Sequence, residues 1–368
     1  MNKATPKVSV LMSVYNGSRY LRESIDSILN QTFSDLEFII IDDCSTDDSR
    51  DIISEYAEKD QRIVLITNPK NIGLTKSLNK GLKIAKGEYV ARQDADDISL
   101  PNRLAKQVSL LDKQLEVALV SCEIEYINSE GHTIGKDQEA CVPELVAWYL
   151  LFYNRLAGHS QVIFRHQLAM NLGGYSESYR YSQDYEFWCR IVKVGKIFIL
   201  PEILLQQRRH NQSISLAKSS EQESYALTQV KRNISELIGQ EISLEEAKYL
   251  MKFWMGQWTQ SLLSGQKVAI IHPKMKEIFS AFLQQQMQTN ISHHNMSYQL
   301  RIIIANQFIS WIQALIIKYS FMEAILVSLY ALNWYPLGVL KYWYQGIKHV
   351  INRKFNLLFL KQNIKVNT

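Results

Sequence analysis

Glu88-Tyr-Val-Ala-Arg-Gln-Asp94-Ala-Asp96-Asp97 runs from a strand-like apolar stretch straight into three carboxylates within four residues. Clustered carboxylates repel one another and need a counter-charge. A divalent cation held by oxygen ligands, itself holding a phosphate, is the usual one. The alternative is a solvated acidic loop that caps the next helix. The surroundings of the cluster decide between the two.

Upstream, Val8-Ser-Val-Leu-Met-Ser-Val reads as a strand buried on both faces. Tyr20, Leu21, Ile25, Ile28 and Leu29 recur at helical spacing over 18–30. Leu36 to Asp43 is a second strand ending in acids, and 47–58 a helix with Asp47 or Asp48 as its cap. Ile63-Val-Leu-Ile is a third strand, and Thr75 to Ile84 a helix. Downstream, Pro101 to Leu115 reads as a helix and Val117–Ser121 as a strand. This alternation predicts an α/β fold with a mostly parallel sheet and helices on both faces. Such sheets bind ligands beyond the carboxyl ends of their strands. Ser13, the Asp42–Asp43 pair and the Asp94–Asp97 cluster all fall at those ends.

The chain has 368 residues, room for one large domain and a smaller unit. A 46% hydrophobic content supplies a real core. Cys44, Cys122, Cys141 and Cys189 show no disulfide or zinc spacing, which favours a reducing, cytoplasmic setting. The N-terminus carries no signal-peptide apolar region. Of the net charge of +5, residues 301–368 carry +7 and the rest −2. The basic residues thus sit on an apolar, aromatic tail rather than on the rest of the chain, which speaks against nucleic acid. A Gly-x-Gly-x-x-Gly turn, a P-loop and a Gly-x-Ser-x-Gly elbow are all missing, which argues against dinucleotide binding, P-loop chemistry and serine hydrolysis.

Several pieces together resemble the family 2 glycosyltransferases of the GT-A fold. They are Val8 to Asn16, Ser27-Ile-Leu-Asn-Gln-Thr-Phe, Phe38 to Ser49, Asn71-Ile-Gly-Leu, Lys86-Gly-Glu-Tyr, Asp94-Ala-Asp-Asp and Ser182-Gln-Asp-Tyr-Glu-Phe-Trp. They occur in the family's order over about residues 7–215. The resemblance implies a catalytic domain over 1–215 and a mainly helical extension over 216–368. It implies a nucleotide site at Ser13, Tyr15, Asp43, Asn71 and Lys76, joined by Asp94 and Asp96. Strand packing is the alternative for Ser13 and Tyr15, and a solvated helix lysine for Lys76. Asp42 is read as bonding loop amides.

The same resemblance assigns Mn²⁺ or Mg²⁺ to Asp96 and Asp97, with His210 as a further ligand or a lone surface histidine. Arg92 and Arg103 either meet phosphate or balance local charge. Asp184 matches the general base of single-displacement inversion, with a helix N-cap as the alternative. Many relatives carry Glu-Asp there, whereas this chain has Gln183-Asp184. Glu186 takes the role only in a shifted register. His159 falls in a segment that underlies the acceptor cleft in relatives, and Trp148 and Trp188 either stack on sugars or pack.

The implied partners are a nucleotide-sugar donor, most simply a UDP-sugar, and a saccharide or lipid-linked saccharide acceptor in surface polysaccharide assembly. A homodimer stays open. The rivals are a nucleotidyltransferase on a similar sheet and a non-catalytic nucleotide or sugar module. In the tail, Ile302–Ile317 and Phe321–Leu340 are too interrupted by polar residues for a clear span. Trp311, Trp334, Tyr335 and Tyr342-Trp-Tyr, followed by lysines, fit an amphipathic helix lying in the inner membrane surface. A helical bundle packed on the protein itself is the alternative.

Overall fold

The computed structural model describes residues 5–137, 141–156, 158–210, 219–257, 265–287, 293–318 and 321–345. The chain forms two compact units, 1–233 and 234–368. The boundary expected near residue 215 lies outside the described residues, as does the tail beyond 345.

In the first unit, β1 (Val8–Val14), α1 (Ser18–Leu29), β2 (Leu36–Asp42), α2 (Ser49–Lys59), β3 (Ile63–Thr67), α3 (Leu74–Ile84) and β4 (Tyr89–Arg92) alternate as the periodicity predicts. β5 (Ile98–Ser99), α4 (Arg103–Lys113), β6 (Val117–Ile127) and β7 (Thr133–Asp137) follow. Next come α5 (Pro143–Leu150), β8 (Ile163–Arg165), α6 (His166–Asn171), α7 (Gln183–Ile191) and β9 (Lys196–Arg208). Among the described residues the strands form one sheet of order β3-β2-β1-β4-β8-β6-β9-β5, with β7 on β6.

β1, β2, β3 and β4 are mutually parallel, so their carboxyl ends share one edge. Val8, Val10, Met12 and Val14 point to one face, as period-two alternation requires. There they pack with Leu21, Ile25 and Ile28 of α1, Ile52 and Ile53 of α2, and Leu104, Val108 and Leu111 of α4. α3 covers the other face. It lies close because Gly81 has no side chain where a Cβ would strike Leu11 and Ile41.

The remaining half of the sheet is mixed. β8 runs antiparallel to both β4 and β6, and β6 runs parallel to β9. β5 pairs antiparallel with the far end of β9, Ile98 opposite Gln206. That pairing brings the end of β9 to the acidic loop.

The second unit is helical. α8 (Ser219–Ile238) begins in the first unit, and α9 (Leu244–Trp254), α10 (Gly265–Met287), α11 (His293–Lys318) and α12 (Phe321–Ala331) follow. Residues 336–345 are also helical. A capping box of Ser243 and Glu246 starts α9. The stretch Asn295–Ile317 of α11 is long and apolar enough to cross a membrane by length and composition, with a mean hydropathy of 1.6. The sequence shows no clear span over Ile302–Ile317, because Asn306, Gln307 and Gln313 interrupt it. Its Ile304, Phe308, Trp311, Ile312 and Leu315 are nevertheless fully buried in the unit's own core.

Candidate active site

Gln93, directly after β4, ties the acidic loop to its neighbours. Its Nε2 donates to Asp97 O at 2.8 Å and to Ser24 Oγ at 3.0 Å, and its Oε1 accepts from Ser99 Oγ at 2.7 Å. Nothing in a lone glutamine marked this role in the sequence.

On that loop the three carboxylates part ways. Asp94 pairs with the fully buried Arg92 at 2.6 Å. Asp96 is about one-third exposed, and its Oδ2 lies 2.9 Å from His210 Nε2. Asp97 is 2% exposed, and its Oδ1 accepts the backbone N–H of Arg208 at 3.0 Å. Asp96 and Asp97, read together toward a metal in the sequence, thus lie in different surroundings. Asp97 points inward to anchor the end of β9, and Asp96 and His210 are the residues that meet. Among the described residues no three His, Cys, Asp or Glu side chains converge on one point. Two protein ligands are enough where diphosphate oxygens and water complete a Mg²⁺ shell.

Burial raises the pKa of Asp94; Arg92 opposes the rise and the charge of Asp96 adds to it. Burial, then Asp96 and Asp94, push Asp97 well above the usual carboxylate range. The loop therefore carries crowded negative charge that a bound cation would relieve, and the residues present fit one.

Arg92 and Arg103 are both 0% exposed, so neither faces a phosphate. Arg92 Nη1 donates to Leu11 O and Gln93 O. Arg103 donates to Arg92 O at 3.1 Å and to Ser160 O, and burial pulls its pKa down to about 10. Both arginines brace the loop from behind. Arg208 adds a third brace, pairing with Glu23 at 2.6 Å and stacking over Tyr20 at 4.3 Å.

Arg92 Nε–H also donates to His159 Nε2 at 3.3 Å, and Tyr175 Oη lies 2.8 Å from the same nitrogen. Since Arg92 only donates, Nε2 accepts and the imidazole proton belongs on Nδ1. Burial, followed by the Arg92 charge, holds His159 well below its ordinary pKa, so it is neutral. His159 thus packs under the site, edge-on to Trp188 at 5.7 Å, rather than opening to a ligand. Trp148 and Trp188 are both fully buried, so neither presents a face to a sugar.

Asp184 stands in the first turn of α7, behind Ser182, whose φ of 55° is left-handed. Ser182 is the cap residue but makes no side-chain capping bond, and the Asp184 carboxylate turns elsewhere. Asn154 Nδ2 donates to its Oδ2 at 2.9 Å. Burial raises the pKa of Asp184 despite this bond, and the Asp94 charge adds a smaller rise. The two carboxylates therefore sense each other. Glu186, the alternative base, is 3% exposed and locked by Arg190 through two 2.7 Å bonds.

Asn154 was not singled out by the sequence. Its bond favours the anion of Asp184, so Asn154→Ala should raise the Asp184 pKa further. A base works deprotonated, so the acid limb of the pH–rate profile should move to higher pH. The plateau rate should stay within roughly tenfold, about 1.4 kcal/mol of barrier. An acid limb identical to wild type would show that Asn154 does not touch the titrating group.

On the nucleotide side, Tyr15 is 53% exposed, Ser13 is half-buried, and Asn71 and Lys76 are exposed. Asp43 directly follows β2. It is 2% exposed and accepts from Asn68 Nδ2 (2.8 Å), Ile72 N (2.9 Å) and Gly73 N (2.8 Å). It therefore bonds loop amides, the role read for Asp42; among the described residues Asp42 accepts from Ser45 N at 3.1 Å and its buried Oδ2 has no partner. Among the described residues, the non-glycine positions with left-handed φ are Asn16, Cys44 and Ser182, the first two on the loops after β1 and β2 at this edge. Such strain collects where a loop is shaped for a ligand.

A carboxylate loop at the ends of parallel strands, with a helix-borne carboxylate that feels its charge, fits a sugar transferase of GT-A type. The comparisons agree. The profile of "Glycosyl transferase family 2" matches residues 9–176. An uncharacterized glycosyltransferase of Methanocaldococcus jannaschii is 36% identical over 231 residues, which is 61% of this chain and 79% of that protein. The chain belongs to glycosyltransferase family 2. Chondroitin synthase of Escherichia coli is 29% identical over 64% of this chain, a match spanning 34% of the synthase. The crystal structure of S. aureus TarS 1–349 in complex with UDP-GlcNAc superposes with a TM-score of 0.53 at 16% identity. It covers 75% of this chain and 82% of that one, a likeness of fold.

Proposed function

We propose that this glycosyltransferase moves a sugar, with inversion, from a nucleoside-diphosphate donor, a UDP-sugar, to a hydroxyl of a saccharide or lipid-linked saccharide in surface polysaccharide assembly. The observation that carries this reading is the half-buried Asp184, its pKa raised and one oxygen held by Asn154, within electrostatic reach of the acidic loop. Asp184 takes the proton of the acceptor hydroxyl as its oxygen attacks the anomeric carbon. The bond to the diphosphate oxygen breaks on the opposite face, and the nucleoside diphosphate leaves. Burial raises the pKa of Asp184, which makes its carboxylate a stronger base, and the Asn154 bond favours the ionised form that catalysis needs.

Asp96 and His210 would hold a Mn²⁺ or Mg²⁺ ion, which when bound supplies charge neutralisation to the leaving diphosphate. Asp94, held by Arg92, would contact the ribose or an outer-shell water. The half-buried Ser13 and the exposed Tyr15, Asn71 and Lys76 would meet the base and phosphates together with Asp43. A UDP-sugar and a polysaccharide product are supported by the UDP-GlcNAc complex of TarS and by the name of chondroitin synthase. A lipid-linked acceptor fits a protein working at the inner face of the cytoplasmic membrane, touched by the second unit.

A panel of UDP- and GDP-sugars, each with Mn²⁺, Mg²⁺ or EDTA, tests this by release of free nucleotide. One UDP-sugar should release UDP with metal and not with EDTA. Release from GDP-sugars alone would overturn the donor assignment, and equal release in EDTA the metal.

A further inference from the structure

α12 faces the wrong way for a helix in water. Its buried residues are small ones, Ala324, Val327, Ser328 and Ala331. Its exposed ones are large and apolar: Phe321 at 60%, Met322 at 75% and Leu329 at 58%, with Ile325 and Leu326 between them. A helix that packs in a soluble core turns its large apolar side chains inward. This one does the reverse, and its inner face is complete. Ser328 Oγ donates to Ala324 O at 2.7 Å and accepts from Trp343 Nε1 at 3.0 Å.

The helical stretch 336–345 extends the same face. Leu337 (72%), Leu340 (57%) and Tyr344 (66%) are exposed at spacings of three and four, while Val339 is fully buried. Phe321 meets Trp343 edge-on at 5.9 Å, so the two exposed stripes adjoin. Ile317 at the end of α11, 78% exposed, lies next to them in the chain. Contiguous apolar surface of this kind marks an interaction site.

Charge selects the partner. After Glu323 the chain has no Asp or Glu through Thr368, while Lys341, Lys348, Arg353, Lys354, Lys361 and Lys365 are basic. Tyrosines and a tryptophan (Tyr342, Trp343, Tyr344) sit where the apolar stripe meets the first lysine. A wet apolar face bordered by interface-seeking aromatics and continued by uncompensated positive charge matches an anionic bilayer surface.

We propose that the outward face of α12 and residues 336–345 lies in the headgroup region of an anionic lipid bilayer, and that α11 stays in the protein core instead of crossing it. This deepens the membrane contact proposed above and rests on it.

Flotation of the full chain with phosphatidylcholine vesicles, with and without phosphatidylglycerol, tests it. The wild type should float with the anionic vesicles, and high salt should weaken this without abolishing it. The double substitution Leu326→Glu, Leu329→Glu should cut flotation at least tenfold, leave Tm unchanged, and leave nucleotide-sugar hydrolysis unchanged. A double variant that floats like wild type overturns the assignment of this face while leaving membrane contact standing. A wild type that stays in solution defeats both. A double variant that converts a wild-type dimer to monomer without any vesicle binding identifies a second copy as the occupant. A Tm several degrees lower without vesicles identifies the chain's own residues as the cover. Either result overturns the lipid proposal.

Discussion

Asp184→Asn should slow sugar transfer by roughly 10²–10⁴, the usual contribution of a positioned general base. The amide keeps the shape of the carboxylate and still accepts from Asn154 Nδ2, so the first turn of α7 has no reason to rearrange. Donor affinity should be near wild type, because the substitution removes proton acceptance rather than a phosphate contact. The loss therefore belongs in kcat. Single-turnover transfer with saturating donor and acceptor, together with titration of the donor, separates the two. A variant within a few-fold of wild type would move the base elsewhere. Glu186 would not inherit the role, since it is buried and bidentate to Arg190. A product with retained anomeric configuration would reject single displacement itself.

Asp96→Ala should lower metal-dependent nucleotide affinity by no less than roughly 10–100-fold, the cost of removing even an outer partner of a metal ligand. Stability should move the other way. Asp96 is partly exposed, and its charge raises the pKa of both Asp94 and Asp97. Removing it relieves repulsion, so Tm without metal should hold or rise. Calorimetric titration of UDP with and without Mn²⁺, beside a thermal melt, reads both signs at once. Undiminished metal-dependent binding would take Asp96 out of the site. A collapsed Tm would show that the acidic loop depends on it structurally.

Both expectations combine something local with something distant. The strand–helix alternation over residues 8–121 was legible because apolar periodicity is written within each segment. β1 through β4 and the helices between them fall within a few residues of where the pattern places them. The acidic loop and Asp184 were legible as residue types at the right ends of their elements. The later strands were not. β9 contains Pro201 and Glu202 and changes register against β6, so it shows no clean alternation.

The sequence by itself determined the fold class, the edge of the sheet that carries the chemistry, the glycosyltransferase family and the candidate base. Each of these is stored in short windows of hydrophobicity and side-chain type. Tertiary structure alone decided which carboxylate faces out. His210 reaches Asp96 across 114 positions because β5 pairs with β9 in one register. That pairing also turns Asp97 inward to Arg208. The same holds for Asn154 against Asp184, for the buried arginines behind the loop, and for the loop amides that Asp43 holds. Strand register and side-chain burial follow from the whole packed sheet, and a one-residue slip would reverse every side chain on a strand. No local pattern encodes that choice.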